Sequence, residues 1–259
     1  MAAPSLADRL KAGACLYTAW STVPEPLVAE LCARGGFDCV TVDMQHGMHD
    51  PVSAMRSISG IALAGKPALV RVAVGDNGMA SRALDMGAEA IIAPMINTLA
   101  EAKAFVAAAK YPPIGDRSWG PLRAQTIFGI DPPTQLRIAN SASLAIAMIE
   151  TRQALDALDD ILALEGIDGI FVGPSDLSVT LTGGKRIAPG DPIVDGPMKL
   201  IAEKTNAAGK IAGAFAWGGG RAQVFKDLGY RLIAIGTDQA YLAQGIKTLL
   251  TELGPEIQR

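Results

Sequence analysis

Eight short aliphatic runs, each followed by a longer stretch of helical periodicity, constrain this chain more than any other feature. The runs cover residues 14–20, 38–43, 68–72, 90–94, 144–150, 169–173, 211–216 and 232–236. Their interiors, among them CVTV, ALVRV, AIIA, LAIAMI and GIFVG, are apolar at consecutive positions, as strands covered on both faces are. Such runs alternating with helices read as βαβ units in a parallel sheet. Helical candidates fill the gaps at 25–34, 51–64, 78–86, 100–110, 152–162, 197–208, 221–228 and 239–253. Glycines at 35, 65, 87, 209 and 229 follow several of them, where a left-handed residue ends a helix. Eight strands and eight helices predict an α/β fold of the closed (β/α)8 type, a TIM barrel. The 259 residues suit one such barrel, and no linker or composition break divides them, so 1–259 reads as a single domain. Segments 111–143 and 177–196, rich in proline and glycine, read as long rim loops, the first with a short helix near 133–140.

Charge and termini narrow the partners. With 23 Lys and Arg against 26 Asp and Glu, and no basic run longer than two, there is no face for phosphate neutralisation, so nucleic acid is excluded as a partner. The first residues carry Asp8 and Arg9 and lack the apolar run of a secretory signal, and stretches such as 142–149 fall far short of a membrane span. The expected location is cytoplasmic, with no membrane partner. Cys15, Cys32 and Cys39 show no C-x-x-C spacing and read as inert thiols.

In a barrel of this kind chemistry collects at the C-terminal strand ends, because the interior is packed. The polar and aromatic residues there are Trp20, Asp43, His46, Arg71, Glu150, Asp176, Trp217, Thr237 and Asp238. Glu150 and Asp176 follow adjacent strands. Two carboxylates so placed either share a hard divalent cation, which prefers oxygen ligands and retains waters, or serve as a helix cap and a turn. His46, in Asp43-Met44-Gln45-His46-Gly47, is either a proton-transfer group steadied by Asp43 or a solvated loop residue. Arg71 sits inside a strand and needs an anion, supplied by a barrel carboxylate or by a substrate. Gly173-Pro174-Ser175 offers backbone N–H groups for a small carboxylate. His49 reads as a loop residue.

Taken together, VDMQHG, VRV, MINT, YPPIGDRSWG, MIET and IFVGPSDLS resemble the HpcH/HpaI family of class II pyruvate aldolases along nearly the whole chain. The resemblance implies a barrel whose last helix is exchanged between protomers, and a homohexamer built as a trimer of dimers. It implies cleavage of 4-hydroxy-2-oxo acids to pyruvate, or a close 2-oxo acid such as hydroxypyruvate, and an aldehyde, with the reverse addition. The cofactor implied is a divalent metal, Mg²⁺ or Mn²⁺, with Co²⁺, Ni²⁺ or Zn²⁺ as alternatives. Carried over position by position, Glu150 and Asp176 match the metal ligands, and Gly173, Pro174 and Ser175 match the carboxylate pocket. Arg71 matches the arginine that stabilises the enolate oxygen, and His46, oriented by Asp43, matches the base acting through a metal-bound water. Asp85 matches a residue that reaches the site from a neighbouring subunit. Trp20, Trp119, Leu177, Phe215 and Trp217 are candidates to line the aldehyde side.

The residue types agree with that chemistry. Deprotonating the methyl group of pyruvate puts charge on its 2-oxo oxygen, and a cation with a guanidinium lowers that cost. Lys66 and Lys210 precede their strands, at the opposite face, so imine chemistry is disfavoured. Met148 and Gln45 depart from the family pattern, where Gln and an acid are frequent. The rival readings are an acyl-CoA ester lyase of the citrate or malyl-CoA type, and a barrel that binds metal and oxo acid without turnover.

Overall fold

A computed structural model describes residues 5–253; residues 1–4 and 254–259 of the expected domain lie outside the described residues. All eight expected strands form: β1 (Leu16–Ser21), β2 (Cys39–Asp43), β3 (Ala68–Arg71), β4 (Ala90–Ala93), β5 (Leu144–Met148), β6 (Gly169–Val172), β7 (Ile211–Ala216) and β8 (Leu232–Ile235). They pair in parallel in chain order, and β1 closes on β8 through Leu16↔Leu232 and Thr18↔Ala234. The result is the closed barrel that the alternation predicts.

The helices are α1 (Leu6–Lys11), α2 (Pro26–Arg34), α3 (Pro51–Leu63), α4 (Asn77–Met86), α5 (Leu99–Ala109), α6 (Leu122–Phe128), α7 (Pro132–Ala142), α8 (Arg152–Asp156), α9 (Leu158–Ala163), α10 (Pro174–Leu181), α11 (Pro192–Ala207), α12 (Gly219–Asp227) and α13 (Asp238–Glu252). Local chemistry sets their ends. Asp50 and Thr98 cap α3 and α5 through reciprocal bonds with Ser53 and Glu101, and Gly87 closes α4 at φ 108°.

Where the sequence reading missed, the causes are local. α1 is too short to show periodicity, yet its Ser5–Asp8 capping box is legible. The stretch 152–162 breaks into α8 and α9 at Ala157. Besides α7, which is the short helix expected near 133–140, the supposed rim loops hold α6 and most of α10. α11 begins at Asp191-Pro192, a cap followed by an N1 proline, and so carries Pro197 within it rather than starting there.

Two apolar layers hold the barrel. Inside it, Leu16, Trp20, Leu69, Ile92, Ile146, Met148, Phe171 and Leu232 pack with Leu6 and Leu10 of α1, which closes the N-terminal end. A second cluster, including Val40, Ile58, Ile91, Phe105, Ile170, Ile201 and Phe225, fills the space between strands and helices. Each such side chain contributes about 1.5–3 kcal/mol. With the interior filled, the C-terminal mouth is where a ligand can meet side chains from many strands.

α13 is different. Only Asp238 of this helix is buried, while Leu242, Ile246, Leu249 and Leu250 are exposed. Its root is fixed by that one carboxylate, which accepts from Thr22 N (2.8 Å), Thr22 Oγ1 (2.6 Å), Val23 N (2.9 Å) and Ser21 Oγ (3.2 Å). Ser21 Oγ also meets His49 Nε2 at 3.1 Å. His49 thus lies in the loop between β2 and α3, as expected, and is buried there. Among the described residues, no helix is long and apolar enough to cross a membrane.

Candidate active site

Asp43 and Arg71 are partners across the β2–β3 register, so their side chains leave neighbouring strand ends on the same side. Arg71 Nε donates to Asp43 Oδ1 at 2.8 Å and Nη2 to Oδ2 at 2.7 Å, and the guanidinium lies 4.9 Å from the Trp20 ring. Trp20 Nε1 donates to Asp43 Oδ2 at 3.2 Å. The anion that Arg71 needs is therefore a barrel carboxylate. Burial pushes the Asp43 carboxyl up, but the bonds and charge of Arg71 and the Gln45 N–H outweigh it and hold it below the usual range.

Asp43 orients His46 through the backbone. Its Oδ1 accepts from the N–H groups of Gln45 (3.0 Å) and His46 (3.4 Å), which curls the loop after β2 and turns the His46 side chain to the mouth. Asp43 thus steadies His46 by its backbone N–H rather than by its imidazole. Gly47 is required there, because a Cβ would overlap the Asp43 carbonyl oxygen.

Glu150 lies two residues past β5 and is 2% exposed. Burial, with the charge of Asp176 added, pushes its carboxyl up to about 7 against the pull of the Met95 N–H and Arg71. Asp176 stands in the first turn of α10, exposed at the mouth. α10 has no side-chain cap at its N-terminus, which leaves the Ser175 and Asp176 N–H groups pointing out of the helix start. Pro174 has no N–H and contributes only an apolar wall.

These groups line one cavity of about 210 Å³ with Trp20, Thr22, Met148, Phe171, Phe215, Trp217 and Thr237. Phe215 is the hub of the apolar wall, with its ring 5.4 Å from Trp20 and 4.9 Å from Trp217, and Trp20 lies 5.6 Å from Phe171. Met148 presents a thioether to the cavity and supplies no proton. A larger cavity of about 450 Å³ opens at the other end of the barrel, beside Lys66 and Glu89. We place the chemistry in the smaller one, because it alone joins paired carboxylates, a histidine, an arginine and a helix start.

Leu177 and Trp119 lie elsewhere, and Asp85, expected to serve a neighbouring subunit, lies outside this chain's own cavity. Leu177 is 0% exposed and packs in the core, because α10 turns that side inward. Asp85, on α4, pairs with Arg117 at 2.6 Å and does not line this chain's cavity. Trp119 packs at a tilt against Tyr111, also away from it. Sequence reasoning in turn missed Thr22 and Phe171 in the wall, and Met95, whose N–H donates to Glu150 Oε2 at 3.2 Å. Inward alternation along β6 points to Phe171; nothing local marks Met95.

The donors fit a divalent cation. Two carboxylates share the mouth, and Glu150, buried there, has no cationic side chain bonded to it among the described residues. Among the described residues no group of three or more His, Cys, Asp or Glu is placed to hold an ion, so waters and substrate oxygens would have to complete its coordination, as hard cations favour.

Fold and mouth together define a (β/α)8 barrel whose mouth holds two carboxylates beside an uncapped helix start. The HpcH/HpaI aldolase/citrate lyase family model matches residues 16–244. A hydroxypyruvate/pyruvate aldolase of Rhizorhabdus wittichii is 36% identical over 233 residues, covering 90% of this chain and 92% of that one. A 4-hydroxy-2-oxo-heptane-1,7-dioate aldolase of Salmonella paratyphi A is 33% identical over 249 residues, covering 96% and 94%. The crystal structure of an HpcH/HpaI aldolase/citrate lyase family protein from Burkholderia cenocepacia superposes with a TM-score of 0.85 at 29% identity, covering 96% of this chain and 98% of that one. The chain belongs to the HpcH/HpaI aldolase/citrate lyase family. It is an aldolase, a carbon–carbon lyase.

Proposed function

We propose that the enzyme cleaves 4-hydroxy-2-oxo acids to pyruvate or hydroxypyruvate and an aldehyde, and runs the addition in reverse. The observation that carries this reading is the convergence of Glu150, Asp176, Arg71, His46 and the start of α10 on one small cavity. Glu150 and Asp176 would hold the divalent ion, Mg²⁺ or Mn²⁺ by their all-oxygen character, with Co²⁺, Ni²⁺ and Zn²⁺ as other candidates. When bound, such an ion polarises the 2-oxo group and stabilises negative charge on its oxygen.

The chain's own residues do the rest. The Ser175 and Asp176 N–H groups, with Gly173 leaving space, receive the substrate carboxylate. Arg71, fixed by Asp43 with Nη1 free of hydrogen bonds among the described residues, faces the developing enolate oxygen. In cleavage, His46 takes the proton of the 4-hydroxyl as the C3–C4 bond breaks. The aldehyde leaves, and the bond's electron pair stays on the oxo-acid fragment as an enolate, which is then protonated at C3. Trp20, Phe215 and Trp217 shelter the aldehyde from water. The acyl-CoA reading is set aside, because Arg71 is the only Lys or Arg in this wall and is already paired, leaving nothing for nucleotide phosphates.

We place the enzyme in the cytoplasm, in keeping with free thiols at Cys15, Cys32 and Cys39. We also propose a single barrel domain over 1–259 that assembles as a homohexamer exchanging α13. The apolar face of that helix supports exchange, since Leu242, Ile246, Leu249 and Leu250 stay 45–64% exposed among the described residues of one chain. Asp85 then reaches a neighbour's mouth. The test is deuterium exchange at the pyruvate methyl group with added Mn²⁺ or Mg²⁺, together with cleavage of a 4-hydroxy-2-oxo acid. Exchange and cleavage that both stop on chelation support the reading; neither occurring with metal present ends it.

A further inference from the structure

Met95, just past β4, has φ 54°, the single non-glycine residue among the described ones in the left-handed region. Side chains with a Cβ adopt that conformation uncommonly. Here it points the Met95 N–H at Glu150 Oε2, 3.2 Å away, the one hydrogen bond Glu150 makes among the described residues. Oε1, on the other side, lies against Gly173.

Asn97 spans the two loops that meet at this point. Its Nδ2 donates to the Met95 carbonyl at 2.9 Å, and its Oδ1 accepts the hydroxyl of Thr151, the residue after Glu150. The backbone of Asn97 is itself fixed, because Glu101 accepts the N–H groups of Asn97 (2.7 Å) and Thr98 (2.9 Å) at the start of α5. One amide thus ties the left-handed residue that touches Glu150 to the residue that follows Glu150 in the chain.

We propose that Asn97 is a positioning residue for the Glu150 carboxylate, holding Met95 in the left-handed conformation so that its N–H occupies Oε2. Without that tie Met95 relaxes to negative φ, its N–H swings away, and Glu150 loses the bond that fixes its rotation. The inference rests on Glu150 as a metal ligand.

The experiment titrates metal-free protein with Mn²⁺ by calorimetry and records the melting temperature without metal. Asn97→Ala should weaken Mn²⁺ binding by about tenfold or more, as loss of a residue supporting a ligand does, with melting nearly unchanged. Adding Met95→Gly should restore most of the affinity, because glycine takes positive φ unaided. Where Asn97→Ala does not fold, Asn97→Asp replaces the donating Nδ2 with an oxygen that repels the Met95 carbonyl, and should show the same loss and rescue. Unchanged affinity in Asn97→Ala, or a loss that Met95→Gly does not repair, overturns the proposal, as does failure of both Asn97 variants to fold. Glu150→Gln separates the two readings. If it binds Mn²⁺ as the parent does, the ligand assignment falls and takes the proposal with it; if it loses binding while Asn97→Ala does not, only the proposal falls.

Discussion

Gly173 and Glu150 compete for one space: a Cβ at residue 173 would fall on Glu150 Oε1. The carboxylate reaches its place only because the N-cap of α10 has no side chain. Gly173→Ala should therefore displace Glu150 and weaken Mn²⁺ binding by roughly 10–100-fold, the range for disturbed support of a metal ligand. Calorimetric titration of metal-free protein measures it, and a circular dichroism spectrum like the parent's would show the barrel intact.

Divalent metal should stabilise the fold. A ligand at one hundred times its Kd adds about 2.7 kcal/mol, roughly 5–10 °C in Tm for a chain of this size. Mn²⁺ should raise the melting temperature of the parent by that order and leave Glu150→Ala unmoved. Equal shifts in both would place the ion elsewhere.

Arg71 and Asp43 form a paired, desolvated unit, with the Asp43 side chain 1% exposed. Asp43→Ala leaves a guanidinium without its partner, and breaking such a pair costs about 3–5 kcal/mol. Urea unfolding should show that loss. The double variant with Arg71→Met should recover part of it, because no stranded charge remains.

His49 supplies a pH dependence. Burial pushes its pKa down, against the charges of Asp238, Asp43 and Asp50. The unfolded chain then takes up the proton first, so stability is full above the ordinary value of about 6.5 and is lost as pH falls through and below it. Glu150, with its carboxyl pushed up to about 7, acts with the opposite sign over the same range. The comparison must therefore be differential. His49→Gln should lose less stability than the parent between pH 7 and pH 5, read from urea midpoints, while Glu150 contributes equally to both.

The apolar face of α13 predicts assembly. Ile246→Asp with Leu249→Asp should reduce the native mass measured by light scattering, because both side chains stand more than half exposed on one chain and need a partner's cover. A parent protein that is monomeric at micromolar concentration would refute helix exchange.

The sequence by itself determined the barrel. Consecutive apolar positions in CVTV or LAIAMI satisfy only strands covered on both faces, and eight of them separated by helices close on themselves. It also determined where Glu150, Asp176, Arg71 and His46 gather, because position at a strand end is a local property and a closed barrel brings strand ends together. Tertiary structure alone decided what each side chain faces. Leu177 turned to the core, His49 was buried under Ser21, and the Arg71 fork closed on Asp43, because these depend on helix rotation and on residues distant in the chain. The tie from Met95 to Glu150 was hidden for the same reason: a backbone N–H aimed across 55 residues leaves no trace in side-chain pattern.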